Sequence, residues 1–209
     1  STRQIEKNHV EDTYEAVYTR ITEEDVSTLK GLDDFSRVGE YYMLAVEPAK
    51  QGYNASYIYC DEETMYIARD QMKLLEGRLP QKEDEVAVSR YFLSNYGADA
   101  GIGEKVMLNS ESFHGEYTVT GILEGYKEKE VNGSSILLSK EALKGWSGYD
   151  PADYRAYVHF KNEQQMDETE LTARSREIAK EYQLEMPIMN LSYMKFYKQP
   201  VNVSMLALV

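Results

Sequence analysis

The chain has 209 residues, of which 42% are hydrophobic and 28% are charged, and this composition is that of a folded protein rather than a disordered one. Its 36 acidic and 23 basic residues give a formal net charge of −13, which makes nucleic acid and anionic membrane surfaces poor partners. The single cysteine, Cys60, excludes an internal disulfide framework, and its apolar surroundings indicate a buried small side chain rather than a reactive thiol.

The N-terminal part of the chain predicts a β-α-β unit. Residues 14–21 (YEAVYTRI) are rich in β-branched and aromatic side chains, which favour a strand. Thr22 and Asp25 then form a capping-box pattern, so a helix is predicted to begin there and to end near Gly31. Residues 35–46 (FSRVGEYYMLAV) predict the second strand of the unit.

The pattern changes at residues 74–89 (LLEGRLPQKEDEVAVS). Gly77 can adopt a positive φ and Pro80 fixes its own φ, so the chain is predicted to turn sharply there. The elements predicted after the turn are a strand at 85–89, a short helix that ends at Gly97, and strands at 104–109 and 116–123. Such short strands with frequent turns predict a compact β-rich module over residues 71–135, inserted into the rest of the fold.

The C-terminal part predicts a second β-α-β unit. Residues 154–160 (YRAYVHF) alternate as a strand does, residues 167–184 have the pattern of an amphipathic helix, and residues 186–194 (MPIMNLSYM) predict another strand. Two such units with right-handed crossovers give an α+β fold with a split, ferredoxin-like sheet. That sheet needs both ends of the chain, residues 1–70 and 136–209.

No catalytic, cofactor-binding or metal-binding residue is predicted. Residues 27–30 and 192–195 match S-x-x-K, but neither match is accompanied by the S-D-N or K-T-G sequences of serine acyl-enzymes. The histidines are His9, His114 and His159, and no ligand spacing occurs, so a zinc site would have to assemble from distant residues. His159 falls on the polar side of its strand and is interpreted as a surface residue.

Two features of composition leave alternatives open. Eighteen tyrosines suit a binding surface, but we favour a half-exposed sheet, in which alternating tyrosines pack on one side and are wetted on the other. The acidic runs at 61–63 and 83–85 could supply paired carboxylates for acid-base chemistry. Solvated loops are the simpler interpretation of these acids.

Three motifs occur in a fixed order in the middle of the chain: E-G-R-x-P at 76–80, E-V-A-V-S at 85–89 and Y-T-V-T-G-I-L at 117–123, with the segment 96–108 between the last two. In this order they resemble the extracytoplasmic core domain of MacB-type ABC transporter permeases, the family that also has the FtsX-like permease region. The resemblance runs from about Leu74 to Leu138. The motif residues are Gly77, Arg78, Pro80, Glu85, Gly101, Gly103 and Gly121. Each has a local structural role in a turn, a strand start or a bulge, and the resemblance implies no catalysis by them.

The resemblance implies a porter-like α/β lobe formed by residues 1–70 and 136–209, and a smaller Sabre-like lobe formed by residues 71–135. Such a domain lies outside the cell membrane, between the first and second transmembrane helices of a four-helix permease. It is expected to couple ATP-driven helix motion to export, extraction or sensing of a substrate. The partners it implies are a cytoplasmic ABC ATPase, a second permease subunit and a peptide or lipoprotein substrate. A secreted carboxylate-dependent hydrolase and a peptide-binding surface receptor are the alternatives.

The last residues, 201–209 (VNVSMLALV), become apolar after a long polar body. They are expected to begin a transmembrane helix, and the alternative is a final edge strand. If the domain is looped out between two membrane helices, its first and last ordered residues should lie close together.

Overall fold

A computed structural model of the chain describes residues 12–50, 52–68, 72–96, 98–125 and 127–197. The strands described are β1 (Ala16–Ile21), β2 (Phe35–Lys50), β3 (Tyr53–Cys60), β4 (Met72–Gly77), β5 (Glu85–Ser89), β6 (Lys105–Asn109), β7 (His114–Gly125), β8 (Gly133–Leu138), β9 (Tyr154–Phe160) and β10 (Ile188–Met189). The helices described are α1 (Glu23–Lys30), α2 (Glu62–Ile67), α3 (Arg90–Tyr96), α4 (Glu128–Val131), α5 (Lys140–Gly145), α6 (Glu168–Glu181) and α7 (Leu191–Tyr197), with a 3-10 turn at Glu163–Gln165. Within these residues no helix is long and apolar enough to cross a bilayer, and the apolar segment 201–209 lies outside them.

The two ends of the chain contribute alternate strands to one part of the sheet. Hydrogen bonding gives the order β10-β1-β9-β2, and each neighbouring pair is antiparallel. β1 and β2 are therefore parallel and separated by β9, while β9 and β10 are parallel and separated by β1. Each β-α-β unit is split by a strand of the other. The predicted α+β class is confirmed, and residues 14–21 and 154–160 contribute to the same sheet.

Both crossover helices begin at capping boxes. Thr22 Oγ1 accepts a hydrogen bond from Asp25 N at 3.1 Å, and the Asp25 carboxylate accepts one from Thr22 N at 2.9 Å, as the sequence predicted. Asp167 and Glu170 form the same reciprocal pair at the start of α6. Each helix buries one apolar face on the sheet, and the buried apolar residues are Val26, Leu29, Leu171, Ile178 and Ala179.

β3 and β8 join this part of the sheet to the middle of the chain. β3 pairs antiparallel with β2 and parallel with β8. β8 meets β5 in a short antiparallel ladder of two residue pairs, Val86 with Leu138 and Ala87 with Leu137. Beyond β5 the sheet continues to β7, which carries β4 and β6. The sheet is therefore continuous through both predicted lobes and narrow where β5 meets β8, and the boundaries of an inserted lobe at 71–135 stay a prediction.

Two segments differ from the expectations. Residues 186–194 give only the two-residue strand β10 before α7 begins, because Asn190 Oδ1 accepts a hydrogen bond from Tyr193 N at 3.4 Å and caps the helix. The acidic run at 61–63 is a helix start rather than a loop, since Asp61 Oδ1 accepts a hydrogen bond from Thr64 N at 2.9 Å and caps α2. Local side-chain caps decide both differences.

The tyrosines lie mostly in the sheet, but the expectation of a half-exposed sheet with one wetted side is wrong where these tyrosines are buried. Eight tyrosines in the described part of the chain are buried: Tyr18, Tyr41, Tyr42, Tyr53, Tyr57, Tyr154, Tyr157 and Tyr193. Adjacent tyrosines point to opposite faces, and both faces carry a hydrophobic core. Buried hydroxyls are paired, as where Tyr18 Oη donates to Ser175 O at 2.8 Å.

The chain enters β1 and leaves β10 at neighbouring points. Asn190 N donates to Glu15 O at 2.8 Å, and Asn190 Nδ2 donates to Tyr14 O at 3.0 Å. The segments that lead into and out of the sheet are thus hydrogen-bonded to each other. The expected closeness of the first and last residues of the domain stays a prediction, because residues 1–11 and 198–209 lie outside the described part of the chain.

A test of the packing of α2 on β2 uses Gly39. A Cβ at Gly39 would lie 2.3 Å from Thr64 Oγ1 and 2.7 Å from Thr64 Cα, so Gly39→Ala is expected to lower the free energy of unfolding by about 1 to 3 kcal/mol through overpacking. Gly31→Ala is the control, because its Cβ would meet nothing closer than 3.4 Å and the φ of Gly31 is −83°. Urea denaturation of both variants measures the difference, and equal midpoints would contradict close packing at Gly39.

Candidate functional site

The motif residues collect around the turn between β4 and β5. Arg78 makes two parallel hydrogen bonds to Glu85, from Nη1 to Oε2 at 2.9 Å and from Nη2 to Oε1 at 2.7 Å. Glu85 Oε2 also accepts hydrogen bonds from Gln81 N at 2.7 Å and Lys82 N at 3.0 Å. We call these four residues the Glu85 clasp. The clasp closes the turn on itself, since its members are at most seven positions apart.

The electrostatics of the clasp come from a buried acid and an exposed base. The Glu85 side chain is 8% exposed and that of Arg78 is 47% exposed. The hydrogen bonds from Arg78 outweigh burial and, with those from the backbone of Gln81 and Lys82, lower the pKa of Glu85 to about 2. The carboxylate is therefore ionised at neutral and mildly acidic pH.

Glycines allow β7 to lie close against this turn. Gly77 has a φ of +76°, and a Cβ there would lie 2.1 Å from Thr120 O. That carbonyl accepts a hydrogen bond from Arg78 N at 2.9 Å, and Thr120 Oγ1 donates to Arg78 O at 3.1 Å. A Cβ at Gly121 would lie 2.6 Å from the same Arg78 O, and Pro80 is buried beside the turn. The side-chain-free backbone at both glycines makes the contact possible.

The remaining two motif glycines belong to the turn before β6. Gly101 and Gly103 flank Ile102, and Gly103 has a φ of +85° and donates from N to Val119 O at 2.8 Å. The Ile102 side chain extends to Gly77, the residue just before the clasp, because its Cδ1 would lie 2.8 Å from a Cβ there. All seven motif residues thus lie around one contact between the β4–β5 turn and β7. In the described structure their contacts are internal to the fold.

A groove of about 410 Å³ lies between the β4 and β7 strands and the helices α3 and α4. Leu75, Tyr91 and Leu123 form its apolar part, and Arg90 and residues 127–130 form a charged rim. Six of its ten lining residues are charged, so the groove is more polar than the mainly apolar pockets that bind small molecules. The sequence carried no signal for this groove, because its lining comes from four separate segments.

A second group of ionisable side chains meets where β1 and β9 lie side by side. Glu15 is fully buried, and its Oε1 lies 3.2 Å from His159 Nδ1. His159 Nδ1 is also 2.5 Å from Thr13 O, and Glu163 lies within 4.8 Å of both side chains. His159 is therefore not the surface residue that the sequence indicated, since the segment before β1 covers the polar side of β9.

The two groups in this pair influence each other's protonation. Burial raises the pKa of Glu15, against the charge of the neighbouring His159 and a hydrogen bond from Phe160 N. Burial alone would lower the pKa of His159, but the negative charges of Glu15 and Glu163 raise it.

A buried acid that the sequence also did not single out is Glu40, on β2. Its Oε2 accepts hydrogen bonds from Tyr59 Oη at 2.8 Å and from Lys140 Nζ at 2.9 Å. Lys140 also contacts Glu23, to which Lys144 Nζ donates at 3.0 Å. These contacts connect α5 to β2 and α1, and they have the character of a structural network.

The other candidate residues fit structural interpretations. Ser27 and Ser192 of the two S-x-x-K matches are exposed, and Lys30 Nζ pairs with Asp61 Oδ2 at 3.2 Å. Cys60 is buried, as the sequence indicated, and burial raises the pKa of its thiol. A protonated, enclosed thiol is a poor nucleophile.

No protein-family model and no curated relative matches the sequence significantly. Solved structures do match. The extracellular domain of the noncanonic ABC-type transporter YknZ from Gram-positive bacteria has a TM-score of 0.56 at 16% identity, covering 84% of this chain and 98% of that domain. The periplasmic region of MacB from Actinobacillus actinomycetemcomitans has a TM-score of 0.58 at 10% identity, covering 91% of this chain and 95% of that region. The chain has the fold of an ABC-permease extracellular domain.

A third structure extends the likeness. A domain assigned to a permease protein from Porphyromonas gingivalis has a TM-score of 0.54 at 15% identity, covering 94% of this chain and 96% of that domain. The three structural matches cover between 84% and 94% of this chain. The resemblance carried by the sequence motifs is confirmed at the level of the fold.

Two glycine variants separate the cost of a positive φ from the steric contact between Gly77 and Thr120. Gly77→Ala and Gly103→Ala each introduce a side chain at positive φ, at a cost of about 1 to 2 kcal/mol. Only Gly77→Ala adds a clash, because a Cβ at Gly103 meets nothing within 4 Å. We expect Gly77→Ala to lower the free energy of unfolding by about 1 to 3 kcal/mol more than Gly103→Ala. Equal urea midpoints would contradict the close contact with Thr120.

The pH dependence of stability tests the charge on Glu85. Its folded-state pKa of about 2 is below the ordinary value of 4.5, so its contribution is fully present above pH 4.5 and is lost as the pH falls towards 2. The stability difference between the native chain and Glu85→Gln should shrink across that window in urea denaturation. Glu83→Gln, at an exposed position outside the clasp, is the control and should track the native chain. A constant difference would contradict an ionised, clasp-bound carboxylate.

Proposed function

We propose that the chain is the extracytoplasmic domain of an ABC transporter permease, and that it couples ATP-driven motion of membrane helices to export, extraction or sensing of a substrate outside the membrane. The observation that carries the proposal is the likeness to the YknZ extracellular domain, the MacB periplasmic region and a third permease domain, over 95% or more of the length of each. A match of this extent concerns the whole architecture rather than one shared motif.

The way the chain enters and leaves the sheet supports this proposal. Tyr14 and Glu15 are hydrogen-bonded to Asn190, so force applied at either segment reaches the same end of the sheet. From there β1 and β9 extend side by side through the centre of the four-strand unit. Helices attached to these two segments would therefore pull on the domain at one base and move it as a lever.

Relative motion of two lobes is the mechanical step that we propose. In the sheet, the β-α-β units and the middle of the chain are joined by the β8–β5 ladder, which has two residue pairs. The Glu85 clasp keeps the middle segment stiff on its own side of that connection. A second contact crosses between the lobes, where Ser112 N donates to Glu47 Oε2 at 3.2 Å. Although burial alone would raise the pKa of Glu47, its hydrogen bonds with Ser112 and Ser110 lower it, so this contact is charged at neutral pH.

The partners that follow are a cytoplasmic ABC ATPase, which acts through the full-length permease, and a second permease subunit. The groove beside Leu75 and Tyr91 is the surface that we assign to the substrate, a peptide or a lipoprotein. Its apolar side suits hydrophobic side chains, and its charged rim suits a polypeptide backbone or an ionised terminus.

A non-enzymatic role fits the ionisable groups better than the hydrolase alternative. A carboxylate-dependent hydrolase needs an acid of raised pKa in a cleft that admits substrate. Glu15 has a raised pKa, but it is fully buried beside His159 and does not line the groove. Conformational change can do the work of transport without any covalent step.

The experiment uses the Glu47–Ser112 contact in the full-length permease. Glu47→Cys and Ser112→Cys are each made singly and then together, and the native Cys60 gives no background because it is buried. On intact cells, both single variants should react with a membrane-impermeant maleimide, as an extracytoplasmic domain requires. Reaction only after lysis would contradict the proposed location.

Coupling is then measured on the double variant reconstituted with its ATPase. A short bifunctional thiol reagent that joins the two cysteines should strongly reduce ATP-dependent transport, because it prevents the lobes from separating. The single variants treated with the same reagent are the matched controls and should remain active. Full transport by the cross-linked permease would overturn the proposed lobe motion.

A further inference from the structure

The cluster of Glu15, His159 and Glu163 takes no part in the proposed lobe motion. Glu15 lies just before β1, His159 is the penultimate residue of β9, and Glu163 begins the 3-10 turn that follows. Glu163 Oε2 accepts a hydrogen bond from Tyr193 Oη at 2.8 Å, which links the cluster to α7. The cluster thus lies at the base of the sheet, where the chain enters and leaves it.

One oxygen in this cluster is left without a hydrogen bond. Glu15 is 0% exposed, and its Oε2 accepts from Phe160 N at 3.1 Å, while its Oε1 is buried and forms no hydrogen bond. His159 Nδ1 is near that oxygen, at 3.2 Å, but it is closer to Thr13 O, at 2.5 Å, and its single hydrogen serves the shorter contact. A buried carboxylate oxygen without a hydrogen bond is costly, and a bound cation removes that cost.

We propose that Glu15, His159 and Glu163 bind one divalent transition-metal ion of the Zn²⁺ class. Two carboxylates and one imidazole form the mixed oxygen and nitrogen ligand set that Zn²⁺ accepts in three-residue sites. The ligand atoms of the three residues lie within 4.8 Å of one another. Thr13 O, beside His159 Nδ1, or a water molecule is available as the fourth ligand.

The geometry requires movements of Glu163 and of Thr13. Bonds of about 2.0 to 2.1 Å in a tetrahedron separate neighbouring ligand atoms by about 3.3 Å. Glu15 Oε1 and His159 Nδ1 already lie 3.2 Å apart, so Glu163 must come closer, and Thr13 O, which lies 2.5 Å from His159 Nδ1, must move away from it. On binding, His159 Nδ1 gives up its proton to solvent and presents a lone pair to the ion. The Tyr193 hydroxyl then serves as an outer partner that orients the Glu163 carboxylate.

The spacing of the ligands explains why the sequence predicted no metal. Glu15 and the 159–163 pair are far apart in the chain, and only the antiparallel pairing of β1 with β9 brings them together. A bound ion would hold β1, β9 and, through Tyr193, α7 in one arrangement. It would therefore stiffen the base of the domain.

The test titrates ZnCl₂ into the purified 209-residue chain at neutral pH, with binding followed by competition against a chromogenic chelator and by thermal unfolding. The expected result is one Zn²⁺ per chain with a rise in the unfolding temperature. Glu163→Gln and His159→Gln should each weaken binding at least about tenfold, since even the loss of an outer partner has an effect of that size. Tyr193→Phe, which keeps the ring, should weaken binding less than either ligand variant.

His114→Gln is the matched control, because His114 is exposed and lies on β7. It should bind Zn²⁺ as tightly as the native chain. No binding by the native chain, or unchanged binding by folded Glu163→Gln, would overturn the metal site. If His159→Gln does not fold, the Glu163→Gln and Tyr193→Phe results decide the outcome. Because binding is measured on the domain alone, its failure would leave the proposed transport function unaffected.

Discussion

The interleaving of the two β-α-β units is the constraint on which the rest of the structure depends. β1 has β9 on one side and β10 on the other, and β9 lies between β1 and β2. β1 of the first unit is hydrogen-bonded to both strands of the second unit, and β9 of the second unit is hydrogen-bonded to both strands of the first. Neither unit can therefore form its sheet alone. The first and last parts of the chain must therefore fold together. This mutual dependence holds the entry to β1 and the exit from β10 at one base, and it brings Glu15 next to His159.

The middle of the chain is attached to this base in a different way. β3 and β8 extend the sheet, and the β8–β5 ladder is a short connection to the strands that carry the motif residues. Within that segment, the Glu85 clasp and the contact of Gly77 with Thr120 hold β4, β5 and β7 together. The hydrophobic core also continues across this connection, since Tyr57 and Phe113 belong to one core cluster and their ring centroids lie 4.5 Å apart.

The buried charges divide into two kinds with different consequences. Glu85 and Glu40 are enclosed, but each has basic or hydroxyl partners that compensate burial, and their roles are structural. Glu15 is enclosed with one oxygen that forms no hydrogen bond, in a cluster with His159 and Glu163. A buried carboxylate oxygen without a hydrogen bond is unusual in a folded protein, and it distinguishes this cluster from the other buried acids.

The sequence by itself determined the local structure and the middle motif. The capping box at Thr22, the strand at 154–160 and the turn at Gly77 follow from side-chain caps, alternation and backbone freedom, which act over a few residues. The order of the E-G-R-x-P, E-V-A-V-S and Y-T-V-T-G-I-L motifs also indicated the fold family, and the seven motif residues lie together as structural elements.

Only the tertiary structure decided which strands are neighbours, which faces are buried and which charges meet. The tyrosines are buried on both faces because helices and loops cover both sides of the sheet. The alternation of residues along one strand does not show whether its second face is covered. His159 is covered by the segment before β1, and its partners Glu15 and Thr13 come from the opposite end of the chain. Contacts between residues so distant in sequence depend on strand pairing, which is a property of the whole sheet and leaves no local pattern in the residues that it joins.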